Sequence, residues 1–234
     1  MKSIVSYITE KQNFLINKKL KTPYNKYEYS PKTKEELQHI IKELFKKDIV
    51  DLNCIDTSNI TDMSYLFDGV KEDFDITYWD VSNVKDMTRM FHDCINFNGS
   101  AIENWDVSNV ENMNGIFDGC HELSCDLSKW NVSNVKNMVS MFSACYIFNC
   151  DLSDWDVSNV ENTNGMFFLC KNFIGTGLEK WDVSNIKNMS YMFSNCKKLD
   201  CNLEKWNINN DCYMNNMFVC CSKMSKKIPS WYKA

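Results

Sequence analysis

Hydrophobic residues recur along this chain in a unit of about 25 residues, and the tryptophans mark that unit most clearly. Successive tryptophans are 26, 25, 25, 26, 25 and 25 residues apart, which is typical of a protein built from stacked repeats. The seven are Trp79, Trp105, Trp130, Trp155, Trp181, Trp206 and Trp231. An earlier unit has Ile55 in the tryptophan position, since IDTSNITDMSYLF aligns with WDVSNVKDMTRMF. The array is therefore predicted to begin near residue 55.

Positions within a unit are counted from the tryptophan, which is position 0. Two patterns within the unit predict local structure. Apolar residues at +8, +11, +12 and +15, mostly Met, Met, Phe and Cys, have the spacing of one helix face. The Asp or Asn at +7 suits a helix N-cap, and the stretch around DLSxWDV suits a short strand. Each unit is thus predicted to contain a short strand, a turn at an asparagine and a short helix. The array as a whole is predicted to be an α/β repeat solenoid.

The turn asparagine at +4 is present in all seven units from Ile55 onwards. Stacked coils would bring these side chains into a ladder, in which buried amides bond backbone groups of neighbouring coils. This predicted structural ladder consists of Asn59, Asn83, Asn109, Asn134, Asn159, Asn185 and Asn210. The two longer connectors between units contain Gly99 and the pair Gly175 and Gly177. Permissive turns are expected there.

Residues 31–47 predict an isolated helix before the array. Thr33 and Glu36 form a capping box, and the apolar residues Leu37, Ile40, Ile41, Leu44 and Phe45 form one stripe. A solenoid needs its open end covered, so this helix is expected to be an N-terminal cap. The chain is accordingly divided into a basic N-terminal arm with a capping helix, 1–54, and a solenoid of about seven coils with a degenerate C-terminal cap, 55–234.

The unit WDVSNVKNMxxMFxxCxxFNxDLSxW resembles the BspA-like leucine-rich-repeat family, in the form shared with mycoplasma lipoprotein repeats. The resemblance covers residues 55–231. It implies right-handed leucine-rich-repeat coils and a role in adhesion or protein binding, often at a cell surface, without catalytic residues. Secreted members carry a signal peptide and a lipid-attachment cysteine, which are not seen near the start of this chain. A cytoplasmic or phage-type member is therefore expected, with the cell surface or the virion as the alternative.

Charge and composition narrow the classes of partner. The formal net charge is −5, and it is uneven, because residues 1–50 carry +5 and the remainder −10. Such an acidic body argues against nucleic acid as a partner. Every apolar run is much shorter than a membrane-spanning helix requires, so no membrane span is expected.

The chain has twelve cysteines, which could bind a metal, form disulfides or pack in the core. Six share position +15, where a free cysteine serves as a small buried apolar group: Cys94, Cys120, Cys145, Cys170, Cys196 and Cys221. Cys125, Cys150 and Cys201 each lie five residues before a tryptophan position. No CxxC pair or histidine at ligand spacing accompanies them, so packing is favoured over zinc. Disulfides between adjacent coils are the less favoured alternative in a reducing compartment.

Catalysis has weak support in the sequence. The histidines are His39, His92 and His121, and the last two lie close to Cys94 and Cys120. A cysteine–histidine nucleophile could be written from them, but these cysteines belong to a column that recurs in units without histidine. No acid–base constellation or phosphate loop is present. No catalytic residues, cofactor or metal are therefore expected, and the protein is predicted not to be an enzyme.

Function is expected in positions that vary while the frame stays constant. Position +6 alternates in sign through Lys85, Glu111, Lys136, Glu161 and Lys187, which is interpreted as a structural charge ladder. The residue before each tryptophan varies more freely, and this candidate binding face consists of Tyr78, Asn104, Lys129, Asp154, Lys180 and Lys205, beside Glu103, Glu179 and Glu204.

These features predict a monomeric, non-enzymatic repeat scaffold that binds a protein partner. One alternative is a surface or virion adhesin that binds a host receptor or a glycan. Another is a structural spacer that assembles end to end. Because an aromatic side chain buries a large area, the tryptophans are expected in the core and not as an exposed sugar platform.

Overall fold

The repeat units are built almost entirely from turns. The computed structural model describes residues 27–233. Helix α1 spans Lys34–Phe45, and two 3₁₀ helices span Leu178–Lys180 and Met224–Lys226. Among the described residues, neighbouring units are joined by isolated parallel bridges and no sheet forms. The predicted α/β solenoid of right-handed leucine-rich-repeat coils is therefore wrong, because the units contain neither the strand around DLSxWDV nor the helix from +8 to +15.

Left-handed backbone at two positions of every unit prevents the predicted helix. At +10 the φ angles are 51–60°, and at +14 they are 54–80°. Bulky residues such as Tyr65 and Leu169 occupy these positions as well as glycine. A right-handed helix cannot include such residues. The helical spacing of the apolar residues arises instead from consecutive tight turns, as in the bonds from Met90 N–H to Met87 C=O (3.1 Å) and from Cys94 N–H to Phe91 C=O (3.1 Å).

The Asp or Asn at +7 caps a turn and not a helix. The Asp86 carboxylate accepts from Thr88 N–H at 2.8 Å, and the Asn188 side chain accepts from Ser190 N–H at 3.0 Å. Both are Asx-type bonds to a residue two places on. Parallel bridges also connect this position from unit to unit, beginning with Asp62 and Asp86. One side chain thus closes its own turn while its backbone joins the next unit.

Backbone hydrogen bonds between units include four columns that run in one direction along the stack. The N–H groups at +8, +10, +12 and +14 donate to the carbonyls at +7, +9, +11 and +13 of the following unit. In one such set the distances are 2.7–2.9 Å, for the pairs Met87–Asn112, Arg89–Asn114, Phe91–Ile116 and Asp93–Asp118. The carbonyl at +7 and the N–H at +8 belong to one peptide group. The same holds for the carbonyl and N–H at +9 and +10, at +11 and +12, and at +13 and +14. Every peptide dipole in these columns therefore points in the same direction along the stack.

Aromatic side chains form the core of the stack. The phenylalanines at +12 are buried and stack with nearly parallel rings, whose centroids are 5.6–5.8 Å apart. They are Phe67, Phe91, Phe117, Phe142, Phe167, Phe193 and Phe218. Six tryptophans, Trp79 to Trp206, are 2–6% exposed, which confirms their expected place in the core. Burial of each such ring stabilises the stack by about 1.5–3 kcal/mol.

Polar atoms of the core bond to the preceding unit. The indole N–H of Trp155 donates to Leu127 C=O at 2.9 Å, and the same bond recurs along most of the tryptophan column. The six cysteines at +15 are buried as expected, and the thiol of Cys145 donates to Phe117 C=O at 3.0 Å. These bonds help to set the register between units, because each joins a side chain of one unit to a carbonyl of the unit before it.

Helix α1 covers the first unit of the stack. Thr33 caps it by accepting from Glu36 N–H at 3.3 Å, and Leu37, Ile41 and Leu44 are buried. The helix predicted over 31–47 is thus confirmed. The Lys34 ammonium bonds the Asp62 carboxylate at 3.2 Å and the Ser64 hydroxyl. Most of the predicted basic arm, residues 1–26, lies outside the described residues, and the division of the chain at residue 55 stays a prediction.

Both longer connectors turn through left-handed glycines, as expected. The φ angles are +84° at Gly99, +85° at Gly175 and +89° at Gly177. A Cβ at Gly177 would also overlap the backbone of Ser153 and approach its Cβ to 2.7 Å. Gly177 is therefore required both for its φ angle and for the close approach of two units.

We predict that Gly177→Ala lowers the free energy of unfolding by roughly 2–4 kcal/mol, because it combines backbone strain with a clash against Ser153. Urea unfolding would measure the loss. Gly69→Ala is the matched control, since Gly69 also has a positive φ (+73°) but nothing lies within 4 Å of its added Cβ. That variant should lose about 1 kcal/mol from strain alone. Equal losses in the two variants would contradict the close approach.

We also predict that Trp155→Phe destabilises the protein more than Trp105→Phe does. The first substitution removes the indole bond to the Leu127 carbonyl, which keeps its bond from Trp130 N–H at 3.1 Å, whereas the buried indole N–H of Trp105 donates to no described residue. Trp155→Phe therefore loses a hydrogen bond, whereas Trp105→Phe removes a buried donor that has no partner in the described range, so the difference should be about 1–2 kcal/mol in urea unfolding. The two variants lose the same ring volume, so equal destabilisation would show that the indole bonds contribute nothing.

Candidate interaction surface

Six variable side chains lie in one row along the side of the stack. We call this row the flank face: Tyr78, Asn104, Lys129, Asp154, Lys180 and Lys205, all of them exposed. Each precedes a buried tryptophan, so the core fixes where its backbone lies. The neighbouring units hold Trp155 and Trp181 in parallel with ring centroids 6.5 Å apart. The row therefore presents one side chain per unit at a regular interval, on a frame that does not depend on its identity.

Two of the acids beside the flank face serve the stack itself. The Glu103 carboxylate accepts from Asp126 N–H at 3.1 Å. The Glu204 carboxylate accepts from Ser230 N–H at 3.0 Å and from the Ser230 hydroxyl. Each bond links a unit to the next one. These two acids are thus structural, while Glu179 is exposed.

A cavity of about 490 Å³ opens beside the flank face and includes Asp154 in its lining, together with Cys125, Cys150, Asp126 and Asp151. The Cys150 sulfur accepts from Leu127 N–H at 3.3 Å. Burial raises the pKa of Cys125 to about 12 and that of Cys150 to about 11. Both thiols are therefore protonated at neutral pH. The cavity offers acidic oxygens and neutral sulfur, and no reactive thiolate.

The asparagines at +4 join successive units by their side chains. Their amides donate to serine carbonyls of the preceding unit at 2.6–2.9 Å. The five pairs are Asn83–Ser58, Asn109–Ser82, Asn134–Ser108, Asn159–Ser133 and Asn185–Ser158. Asn59 and Asn210, which stand at the two ends of the column, are exposed. The sequence predicts buried amides, but all seven residues are exposed because the turn lies at the rim of the stack.

The charges at +6 pair in twos and do not form a continuous ladder. Lys136 binds Glu111 at 2.8 Å, and Lys187 binds Glu161 at 2.6 Å. The hydrogen bond from Lys136 lowers the pKa of Glu111, and that from Lys187 lowers the pKa of Glu161. All four side chains are about half exposed or more. Exposed pairs of this kind contribute little to stability, because water and salt screen them.

The histidines and the core cysteines have separate partners. His92 Nδ1 lies 2.7 Å from the Asp68 carboxylate, while the Cys94 thiol donates to the Phe67 carbonyl at 2.9 Å. Burial raises the pKa of Cys94 to about 12. His121 stacks on Tyr146 with centroids 4.4 Å apart. His92 and Cys94 thus bond to different partners and not to each other. The third histidine, His39, lies exposed on α1.

Three overlapping matches to one family model cover residues 35–149, 99–176 and 148–234. The family is described as Mycoplasma protein of unknown function, DUF285. The chain belongs to this family. No curated protein and no solved structure matches it. The DUF285 match confirms the mycoplasma-type repeat inferred from the sequence, and it names neither BspA-like nor leucine-rich repeats.

The structure of this DUF285 chain bears on disulfides, metal sites and membrane-spanning helices. The ten buried cysteines, Cys94 to Cys221, form no disulfide. In residues 27–233, no group of three or more His, Cys, Asp or Glu side chains is arranged to hold a metal ion. Over the same range, no helix has the length and apolar character to cross a membrane.

One exposed surface of the structure is not predicted by the sequence. At the last DUF285 unit the structure shows a cavity of about 850 Å³, lined by Phe218, Val219, Ile228 and Tyr232 among others. The sequence of this last unit departs from the repeat at +7, where Tyr213 replaces the Asp or Asn of the other units. That departure predicts only a degenerate cap when the sequence is taken alone.

We predict that the buried thiols make the DUF285 stack sensitive to alkaline pH. The pKa of Cys94 is about 12 in the folded chain against 9.0 for an ordinary thiol. Its contribution to stability is therefore complete below pH 9 and is lost as pH rises toward 12. Under reducing conditions, Cys94→Ala should make the fall in unfolding free energy above pH 9 shallower by about 1 kcal/mol per pH unit.

The control for this experiment is Ser143→Ala, which removes one oxygen from a buried side chain that does not titrate in this range. It should shift the unfolding free energy at every pH and leave its slope unchanged. A Cys94→Ala slope equal to that of the natural protein would contradict the assignment of a buried, neutral thiol.

Proposed function

We propose that this DUF285 protein is a non-enzymatic repeat scaffold that binds a protein partner along its flank face. The observation that carries this proposal is the exposed row from Tyr78 to Lys205, whose side chains vary while the buried residues beside them repeat. A constant frame with one variable exposed row is the arrangement by which stacked repeats bind extended partners. The resemblance to BspA-like repeats supports the same role.

The charges of the flank face indicate how a partner is recognised. Lys129, Asp154 and Lys180 alternate in sign on three successive units. Each exposed ion pair with a partner contributes about 1 kcal/mol or less. Useful affinity therefore requires several units to be engaged together, by a partner that lies along the stack with complementary alternation.

The nature of the thiols supports a binding role over catalysis. A nucleophilic cysteine reacts as the thiolate, whereas burial holds Cys94, Cys125 and Cys150 protonated. The column that contains Cys94 recurs in units whose neighbouring residues differ, as expected of packing. We infer that these cysteines stabilise the frame and that the exposed row performs the function.

We predict that the intact chain, immobilised as bait, captures a protein from a lysate of its source cells. A variant with Lys129, Asp154, Lys180 and Lys205 changed to Ala should lose that protein, because it removes four consecutive charges of the flank face. Recovery would be measured by quantitative mass spectrometry at about 0.15 M salt, since exposed charges are screened above that concentration.

The matched control changes Lys85, Glu111, Lys136 and Lys187 to Ala, which again removes three lysines and one acid, but from the +6 column. This variant should retain the partner. Equal loss from both variants would indicate general electrostatic attraction and would contradict the flank face, as would the absence of any captured protein.

A further inference from the structure

The last unit of the described stack has four backbone donors without a partner. In the preceding unit, Met189, Tyr191, Phe193 and Asn195 donate to Tyr213, Asn215, Met217 and Val219 at 2.7–3.0 Å. The equivalent N–H groups of the last unit belong to Met214, Asn216, Phe218 and Cys220. None of them donates to another residue in the described range 27–233. Backbone donors facing away from the stack are a template for a further strand-like segment.

These donors are also the positive ends of the four columns of aligned peptide groups. Aligned peptide dipoles concentrate partial positive charge at their N–H end, as they do in a helix. An opposing column exists at +6, where Glu111 N–H donates back to Lys85 C=O at 2.9 Å. Four columns against one leave a net positive potential at the last unit, which favours an anionic group there.

A lysine beside the donors adds to this potential. Lys197 lines the cavity at this end, and residues 220–233 include four lysines and no acid. Lys227 is paired with Asp200, and Lys223 also lowers the pKa of Asp200, while Lys197 is exposed. A lysine ammonium beside the positive ends of peptide dipoles is unfavourable unless a negative group binds between the two.

An apolar cavity completes the surface. Val219 is 44% exposed and Ile228 38% exposed, and both line the cavity of about 850 Å³ next to Phe218. Tyr232 packs edge-on against Phe218 with centroids 5.1 Å apart. A contiguous apolar patch rimmed by polar groups is typical of a protein-binding site. We call the four N–H groups, this cavity and Lys197 the end surface.

The arrangement of donors decides which occupant fits. A second copy that presents its own end surface would oppose donors to donors. A second copy that presents its first unit would offer the carbonyls of Asp62, Ser64, Leu66 and Asp68, but α1 packs there, with Lys34 bonded to Asp62 and Ser64. The occupant must instead be an extended segment that offers carbonyls at alternate residues.

We propose that the end surface binds an extended acidic segment of a partner protein. Alternate carbonyls of the segment accept from Met214, Asn216, Phe218 and Cys220, an apolar side chain enters the cavity, and an acidic side chain faces Lys197. This is strand addition at an open edge. The proposal deepens the proposed function and rests on it, since it names a second surface and the chemistry of what binds there.

The test uses a fluorescein-labelled heptapeptide in which glutamate alternates with leucine and valine, titrated against the full chain by fluorescence anisotropy. A peptide with lysine in place of glutamate is the charge control. The variant Val219→Asp with Ile228→Asp should weaken binding of the acidic peptide about tenfold or more, because it places charge in the apolar cavity. The matched control is Ile147→Asp with Ile174→Asp, whose residues are 39% and 38% exposed away from the end surface and should leave binding unchanged.

Amide hydrogen exchange, followed residue by residue by NMR, supplies a readout specific to the donors. The peptide should protect the N–H groups of Met214, Asn216, Phe218 and Cys220. The N–H groups of Met217 and Val219 already donate within the unit and should change little. No binding, equal binding of the lysine peptide, or protection away from these four groups would overturn the proposal.

Two outcomes separate this proposal from the flank face. Loss of peptide binding in the flank variant, with the end variant unaffected, would overturn the end surface and leave the flank face standing. Peptide binding confined to the end surface, with no capture by the flank face, would support the end surface alone. A concentration-dependent dimer in sedimentation that the Val219→Asp and Ile228→Asp substitutions abolish would identify a second copy as the occupant and would also overturn the proposal.

Discussion

The structure depends on one constraint, which is that alternate peptide groups between +7 and +14 point along the stack. A left-handed residue reverses the turn of the backbone, so that left-handed residues at +10 and +14 bring the N–H groups of alternate residues to the same side. Each unit then donates four bonds to the next and accepts four from the one before. A lone unit would be a short series of turns, and stability belongs to neighbouring pairs.

Contacts between units offset the strain in each one. Left-handed backbone costs roughly 1–2 kcal/mol for a residue with a side chain, and Tyr65, Arg89 and Leu169 all adopt it. The stacked phenylalanines and the thiol and indole bonds to preceding carbonyls hold these conformations. The buried columns are therefore restricted in residue type, and variation is confined to the rim, where the flank face lies.

Because the four columns run in one direction, the two ends of the stack differ chemically. The carbonyl end is covered by α1, with the Lys34 ammonium beside it, as suits the negative ends of the peptide dipoles. The N–H end carries Lys197 and an exposed apolar cavity. One end is thus electrostatically complemented within the chain, and the other is complementary to a partner with acceptors and negative charge.

The repeat length, the buried columns, helix α1 and the glycine turns at Gly99 and Gly175 could all be predicted from the amino-acid sequence, because each rests on periodicity or on a local rule. The backbone of the units could not. Met, Met, Phe and Cys at +8, +11, +12 and +15 have helical spacing, and the non-glycine residues at +10 and +14 give no local sign of left-handed backbone. Hydrogen bonds to the neighbouring units impose that conformation in the folded stack, and with it the exposed donors of the end surface.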